Sequence, residues 1–208
     1  MRDLVVVGAG GFGRETIDVV SDINAEGMRW YLIGIVDDAP SEKNLERLRA
    51  SGAPYLGAVD RIPTDASVVV AVGSPAIRRS IVARVRGSNA DFPSLIHPTA
   101  VVGGGFVHGS GLVVLAGACI GTNVRVGDHV HVNGHAVVGH DVVLGDMVSL
   151  NPNSTVSGEV TVGDECLIGA ASVILQGLTI AGGATVGAAA CVVRDVSTPD
   201  VVKGVPAR

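Results

Sequence analysis

The chain has 208 residues, enough for one large domain or two small ones, and its 47% apolar content includes only 3% aromatics beside 29 glycines. Such a composition calls for a narrow aliphatic core and a backbone that turns often. A net charge of −5 excludes the basic footprint of a nucleic-acid binder, and three scattered cysteines argue against a disulfide framework or zinc site and for a reducing compartment.

From the N-terminus, Asp3 follows Arg2 and four apolar residues lead straight into glycine, so no signal peptide is expected. "LVVVGAG", "YLIGIVDD" and "ASVVVAVG" read as buried strands of a parallel sheet. "GRETIDVVSDI" and "SPAIRRSIVARVR" carry apolar residues at helical spacing after the first and third strands. The alternation predicts a half-size, doubly wound α/β domain with right-handed crossovers over residues 1–97. That segment holds eleven of the fifteen basic residues and five of the six aromatics, whereas residues 98–193 hold only Arg125. A composition break of this kind places a domain boundary at His97-Pro98.

Beyond it a period of six takes over. Steps of six from Val102 meet an aliphatic residue at every position up to Val192 except His108. The next residue is glycine nine times, at 103, 109, 121, 127, 139, 145, 163, 169 and 187. This pattern predicts short flat strands turning at corners where Gly or Asn accepts a positive φ. Three hexads close a triangular coil, and stacked coils pair each other's backbone groups. Residues 98–193 then form roughly five coils, followed by a tail over 194–208. Residues 92–124 and 166–193 lack charged residues, but their Gly, Thr, Asn and Ser content and hexad period set them apart from membrane spans. The chain reads as soluble and cytoplasmic.

The hexads and the ending "VVRDVSTPDVVKGVPAR" resemble the hexapeptide-repeat acyltransferases, whose fold is a left-handed parallel β-helix. Together with "VVVGAGGFGRETIDVV", "IGIVDD" and "VVAVGSPAIRRSI", they make the chain similar to the NeuD/PglD-type sugar acyltransferases. The resemblance covers nearly the whole chain. It implies acetyl-CoA as co-substrate, a nucleotide-sugar or sugar acceptor, a homotrimer and no metal. N-acetylation of a UDP-4-amino sugar leads; O-acetylation of sialic acid or another sugar follows.

Among the histidines, His97 reads as a structural residue at the domain junction, and His108 as an irregular end of the helix. His129 and His131 read as solvated strand residues, and His131 and His135 as too isolated for a metal site. His140 follows Gly139 at a corner with Asp141 beside it, a carboxylate able to fix the ring tautomer and raise its basicity. A repeat of eighteen stacks Thr122 below His140 and Gly158 above, where the missing side chain leaves room for an acceptor. In a trimer such a corner reaches a cleft shared between subunits. His135, on a flat face without an acidic neighbour, is the reserve base. The resemblance puts the family's catalytic His and acidic residue on His140 and Asp141, and an Asn seven residues earlier on Asn133. The base takes a proton from the acceptor as it attacks the thioester, with no acyl-enzyme. Cys166 and Cys191 read as core, Cys119 lies between core positions, and none adjoins a candidate base, which disfavours a cysteine nucleophile.

The resemblance places coenzyme contacts at Ser149, Ala170 and Ala188, with basic Arg194, Lys203 and Arg208 in the tail. Ser149 stands where the family's best-known member has a histidine. "GAGGFG" over residues 8–13 and Asp37 fit the dinucleotide fingerprint, yet the same backbone amides suit the pyrophosphate of a UDP-sugar. The resemblance assigns Gly10, Gly11, Phe12, Asp37, Asp38 and Gly73 to the nucleotide sugar, with Phe12 in place of a polar residue found in some relatives. Two rival readings remain open: an NAD-binding oxidoreductase on a β-helical stalk, and a non-catalytic trimeric scaffold.

Overall fold

The computed structural model describes residues 1–86 and 90–208. β1 (Arg2–Val7), α1 (Gly11–Glu26), β2 (Trp30–Val36), α2 (Glu42–Ser51), β3 (Tyr55–Gly57), β4 (Ser67–Val70) and α3 (Pro75–Arg86) build the first domain. Its four strands are parallel in the order β3-β2-β1-β4, one half of a doubly wound sheet. Val5, Val6 and Val7 are buried on both faces of the sheet, which explains the unbroken apolar runs. α2 and β3 have no counterpart in the periodicity reading. α2 buries only Leu48 and is held by its ends, a Ser41 cap on the Asn44 N–H and Gly52 at φ 75°. A three-residue strand is too short to show a period.

The second domain is a left-handed parallel β-helix of two-residue strands, β5 (Leu95–Ile96) to β22 (Val201–Val202). Up to Val192 each strand pairs with those eighteen residues away, as Val137 does with Cys119 and Thr155, and the three faces hold five, six and seven strands. The helix begins before the expected boundary, because Leu95–Ile96 already pairs with Val113–Val114. The tail also belongs to it: Val201–Val202 pairs with β20 (Thr185–Val186), and Ala207 donates to the Cys191 carbonyl.

Two residues per hexad point inward, the aliphatic and the residue four after it, as Val132 and Ala136 do. Each fully buried Val, Leu or Ile contributes roughly 1.5–3 kcal/mol. Cys166 is one of these inward residues; Cys191, read as core, faces outward in the same column as Cys119. Its position just before the aliphatic residue, shared with Cys119, decides this.

Corner chemistry departs from the glycine reading in an instructive way. The left-handed residue is the third after each aliphatic, and ten of these are not glycine, including His129, His135 and Asp141. That conformation costs about 1 kcal/mol each, offset by the N–H it aims at the coil below: Asp141 donates to the Thr122 carbonyl and Glu159 to that of His140, both at 2.9 Å. The glycine directly after the aliphatic serves close approach instead. A Cβ on Gly139 would stand 2.5 Å from the Gly158 nitrogen.

The seven-stranded face of the β-helix is the one covered by the first domain. Leu95, Val113, His131 and Ser149 point outward from it, and all are buried. Among the described residues no helix is long and apolar enough to cross a membrane.

Candidate active site

His140 sits where the corner reading put it, in the turn between Val137–Val138 and Val143–Leu144. Its Nδ1 donates to Asp141 Oδ2 at 2.8 Å, and Asn123 Nδ2 donates to Asp141 Oδ1 at 3.1 Å. The hydrogen bond from His140, then that from Asn123, holds the Asp141 carboxyl below its ordinary range. With Nδ1–H committed, Nε2 is the free, basic nitrogen. Gly158 does not leave empty space above the ring as expected; the imidazole itself fills it. A Cβ on Gly158 would stand 2.5 Å from His140 Nε2 and 2.6 Å from Cε1. Gly158→Ala is therefore expected to push the ring off its station and lower kcat at least tenfold with little change in melting temperature, measured by steady-state kinetics beside thermal unfolding. An unchanged kcat would show that the ring needs no such seat.

His135 is not on a flat face. It occupies the preceding corner at φ 57°, exposed, and shares a cleft of about 380 Å³ with Asn133, His97, Pro152 and the acidic side of α1 (Glu15, Asp18, Asp22). Asn133, 9% exposed, donates to the Leu150 carbonyl at 2.8 Å. Within one chain His140 and Asn133 thus occupy successive corners and are not gathered in one cleft. His97 is buried at the domain junction: Nε2 donates to Asp22 at 2.8 Å, and Nδ1 accepts from the Thr99 N–H and hydroxyl. His108 is exposed near the open end of the helix.

The first domain contributes a second cleft of about 520 Å³, lined by Gly8, Asp37, Asp38, Val59, Val72, Ile77, Ile81 and Arg84 among others. Asp37 closes the glycine loop, accepting from the Ala9 N–H at 2.8 Å and the Ala39 N–H at 3.0 Å. Asp38 pairs with Arg84 and accepts from the Val59 N–H; chiefly the Arg84 hydrogen bond holds it below the ordinary carboxylate range. Nothing would meet a Cβ on Gly10, Gly11 or Gly73, so their backbones are open to a ligand. Phe12 is turned away from that cleft and stacks on His131 with ring centroids 4.2 Å apart.

Three expectations fail at the domain junction, for one reason: the period shows that a residue faces outward but not which face is covered. Ser149 is 1% exposed and donates to the Gly73 carbonyl while accepting from Arg78, leaving no surface for a coenzyme. His129 and His131 are buried rather than solvated. Desolvation pushes His129 down to about 4 and His131 well below the ordinary imidazole value, so both are neutral in the folded protein. On acidification the unfolded chain binds these protons first. Stability from both groups is therefore complete above pH ~6.5 and is lost as pH falls toward the folded values, each histidine contributing a slope of up to about 1.4 kcal/mol per pH unit. His129→Asn, which tolerates the left-handed corner, is expected to flatten urea-unfolding stability against pH between 6.5 and 4. An unaltered slope would contradict the assignment.

Ala170 is half-buried and Ala188 exposed, on the corner column that also holds Ala116, Gly134 and Pro152. That column presents no long side chain. Arg194, Lys203 and Arg208 are exposed. Among the described residues no group of three or more His, Cys, Asp or Glu is placed to hold a metal.

The family model described as the PglD N-terminal domain matches residues 3–85. UDP-N-acetylbacillosamine N-acetyltransferase of Bacillus subtilis is 32% identical over 120 residues, 56% of this chain and 52% of that one, so the aligned stretch spans about half of that relative. PerB of Caulobacter crescentus, in complex with CoA and GDP-perosamine, is 29% identical over 100% of this chain and 97% of its own, with a TM-score of 0.80. The acetyltransferase domain of PglB from Neisseria gonorrhoeae, in complex with acetyl coenzyme A, is 31% identical over 100% of this chain and 98% of its own, with a TM-score of 0.83. The chain belongs to the PglD-type sugar acyltransferase family.

Membership explains the pairing of the two halves, since the PglB match covers both. In this PglD-type chain the residue that sequence reasoning missed is Arg78. It is fully buried and reaches the Val72 carbonyl, His131 Nδ1 and Ser149 Oγ at 2.8, 3.0 and 3.0 Å. One of two adjacent arginines on a helix carries no signal that it is the buried one.

Proposed function

We propose that the protein transfers an acetyl group from acetyl-CoA to an amino group of a nucleotide-linked sugar, with His140 as general base. The observation that carries this is the His140–Asp141 pair: Nδ1–H is bound at 2.8 Å to a carboxylate, and Nε2 is left to receive a proton. As the acceptor nitrogen attacks the thioester carbon, Nε2 takes its proton. The tetrahedral adduct collapses with cleavage of the carbon–sulfur bond, and the proton passes to the departing thiolate. The nucleotide end is assigned to the cleft of Asp37 and Asp38, with the open amides of Gly10 and Gly11 toward the pyrophosphate. The smooth column of Ala170 and Ala188 suits an extended pantetheine arm, with Arg194, Lys203 and Arg208 as candidates for its phosphates.

The working unit on this reading is a homotrimer in the cytoplasm. His140 is 55% exposed, and its corner is flanked by outward Val137 and Val143, 39% and 41% exposed. Packing that edge against the next subunit's Asn133 cleft would bring together what a single chain keeps on separate corners. The perosamine N-acetyltransferase of C. crescentus, solved with CoA and GDP-perosamine, has also been solved with one histidine replaced by Asn or Ala, which is in keeping with a histidine of consequence there. The NAD reading loses support because the sheet is a single half and Asp37 is spent on loop closure. O-acetylation remains the alternative, since the same base serves a hydroxyl.

The test is release of coenzyme A thiol from acetyl-CoA across UDP-, GDP- and dTDP-4-amino sugars, CMP-sialic acid and free sialic acid. Release with an amino sugar is expected. Release confined to sialic acids would replace N- by O-acetylation, and silence across the panel would contradict the proposal. Asp141→Asn keeps the left-handed corner, because Asn tolerates positive φ, and removes only the charge. It is expected to lower kcat about tenfold, within the range of general-base contributions; full activity would remove Asp141 from the mechanism.

A further inference from the structure

Arg78 is a cation buried to 0% exposure, and among the described residues no carboxylate is its partner. Nη1 donates to the Val72 and Gly73 carbonyls at 2.8 and 3.4 Å and to His131 Nδ1 at 3.0 Å. Nη2 donates to the Met147 and Val148 carbonyls and to Ser149 Oγ. One planar fork therefore holds the loop after β4 with one nitrogen and a β-helix coil with the other. His131 extends the tie: its Nε2–H donates to the Val70 carbonyl at 3.0 Å, and its ring lies under Phe12 of the glycine loop.

Burial is expensive for this group and lowers its pKa to about 9, leaving it charged at neutral pH. An apolar side chain of similar volume would fill the place at no such cost. What it could not do is fix two carbonyls on one domain and two on the other at a set separation. Of the parts so fixed, Val72 lines the nucleotide cleft beside Gly8 of the glycine loop.

We propose that Arg78, acting with His131, is a positioning residue that holds the acceptor-binding loops at a fixed station over the β-helix. The proposal rests on the nucleotide-sugar reading above. It separates the two substrates: loosening the fork misplaces the acceptor, while the Ala170–Ala188 column lies coils away.

The test uses the whole 208-residue chain, Arg78→Met and Arg78→Lys, with Lys keeping the charge without the fork should Met fail to fold, and His131→Asn. Hydrogen exchange needs no ligand. Peptides spanning 8–13 and 71–75 are expected to lose protection together in each variant. Kinetics is expected to show KM for the nucleotide sugar raised tenfold or more, with KM for acetyl-CoA within twofold of wild type. Calorimetry with UDP, GDP and dTDP should show the same loss for whichever the wild type binds. Unchanged exchange overturns the clamp whatever the substrate is. Altered exchange with both KM values moving alike, or neither moving, overturns the positioning role and leaves a merely structural one. A wild type that turns over no nucleotide sugar and binds none of the three diphosphates overturns the reading of the cleft, and the positioning role with it, while the exchange result still reports on the clamp itself.

Discussion

Replacing His140 by alanine is expected to lower kcat by about 10²–10⁴, or about 2.7–5.5 kcal/mol of transition-state stabilisation. The melting temperature should stay at the wild-type value. Both expectations follow from the corner: the side chain is 55% exposed, its partner Asp141 is solvated, and the backbone bonds of the turn do not involve the ring. The residual rate would come from holding two substrates together. A variant retaining full kcat would move the base elsewhere, and His135, in the Asn133 cleft, is the candidate already in place.

The second large effect concerns the glycine loop. A Cβ on Gly13 would stand 1.8 Å from the Gly8 carbonyl oxygen and 2.9 Å from its carbon, both backbone atoms that cannot move aside. Gly13→Ala should therefore drive α1 away from β1, a destabilisation of about 3 kcal/mol or more, against a gain of about 1 kcal/mol in helix propensity. Denaturant unfolding of the whole chain measures it. Gly11→Ala is the control. Its Cβ meets nothing, so stability should hold while nucleotide affinity falls, because the new methyl stands on the exposed approach to the loop. Loss of stability in Gly11→Ala, or none in Gly13→Ala, would contradict this division of labour between ligand access and packing.

That division also marks how far the sequence could be read. The hexad period and the strand–helix alternation are properties of the chain alone, and both recur in the structure, the first as β-pairing eighteen residues apart and the second as a parallel sheet. The corner position of His140 and its pairing with Asp141 are legible because a glycine corner and an adjacent carboxylate are local; the catalytic role is the proposal above. The fate of Ser149, His129 and His131 depends on which face of the prism the first domain covers. A repeat that makes all three faces alike holds no such information. Arg78 was invisible for the complementary reason: on α3 it looks like its exposed neighbours, and only docking buries it. The open seat over His140 failed on a subtler point, since a glycine above a ring means the ring's own space as readily as a ligand's.

On the proposed mechanism an amino group of a nucleotide sugar receives the acetyl group with His140 as base. The most direct measurement is the mass of the nucleotide amino sugar after incubation with acetyl-CoA and either wild type or His140→Ala. Gain of one acetyl group is expected with wild type and none over the same interval with the variant. Equal acetylation by both, or an acceptor left unmodified by the wild type across the nucleotide amino sugars, would contradict it.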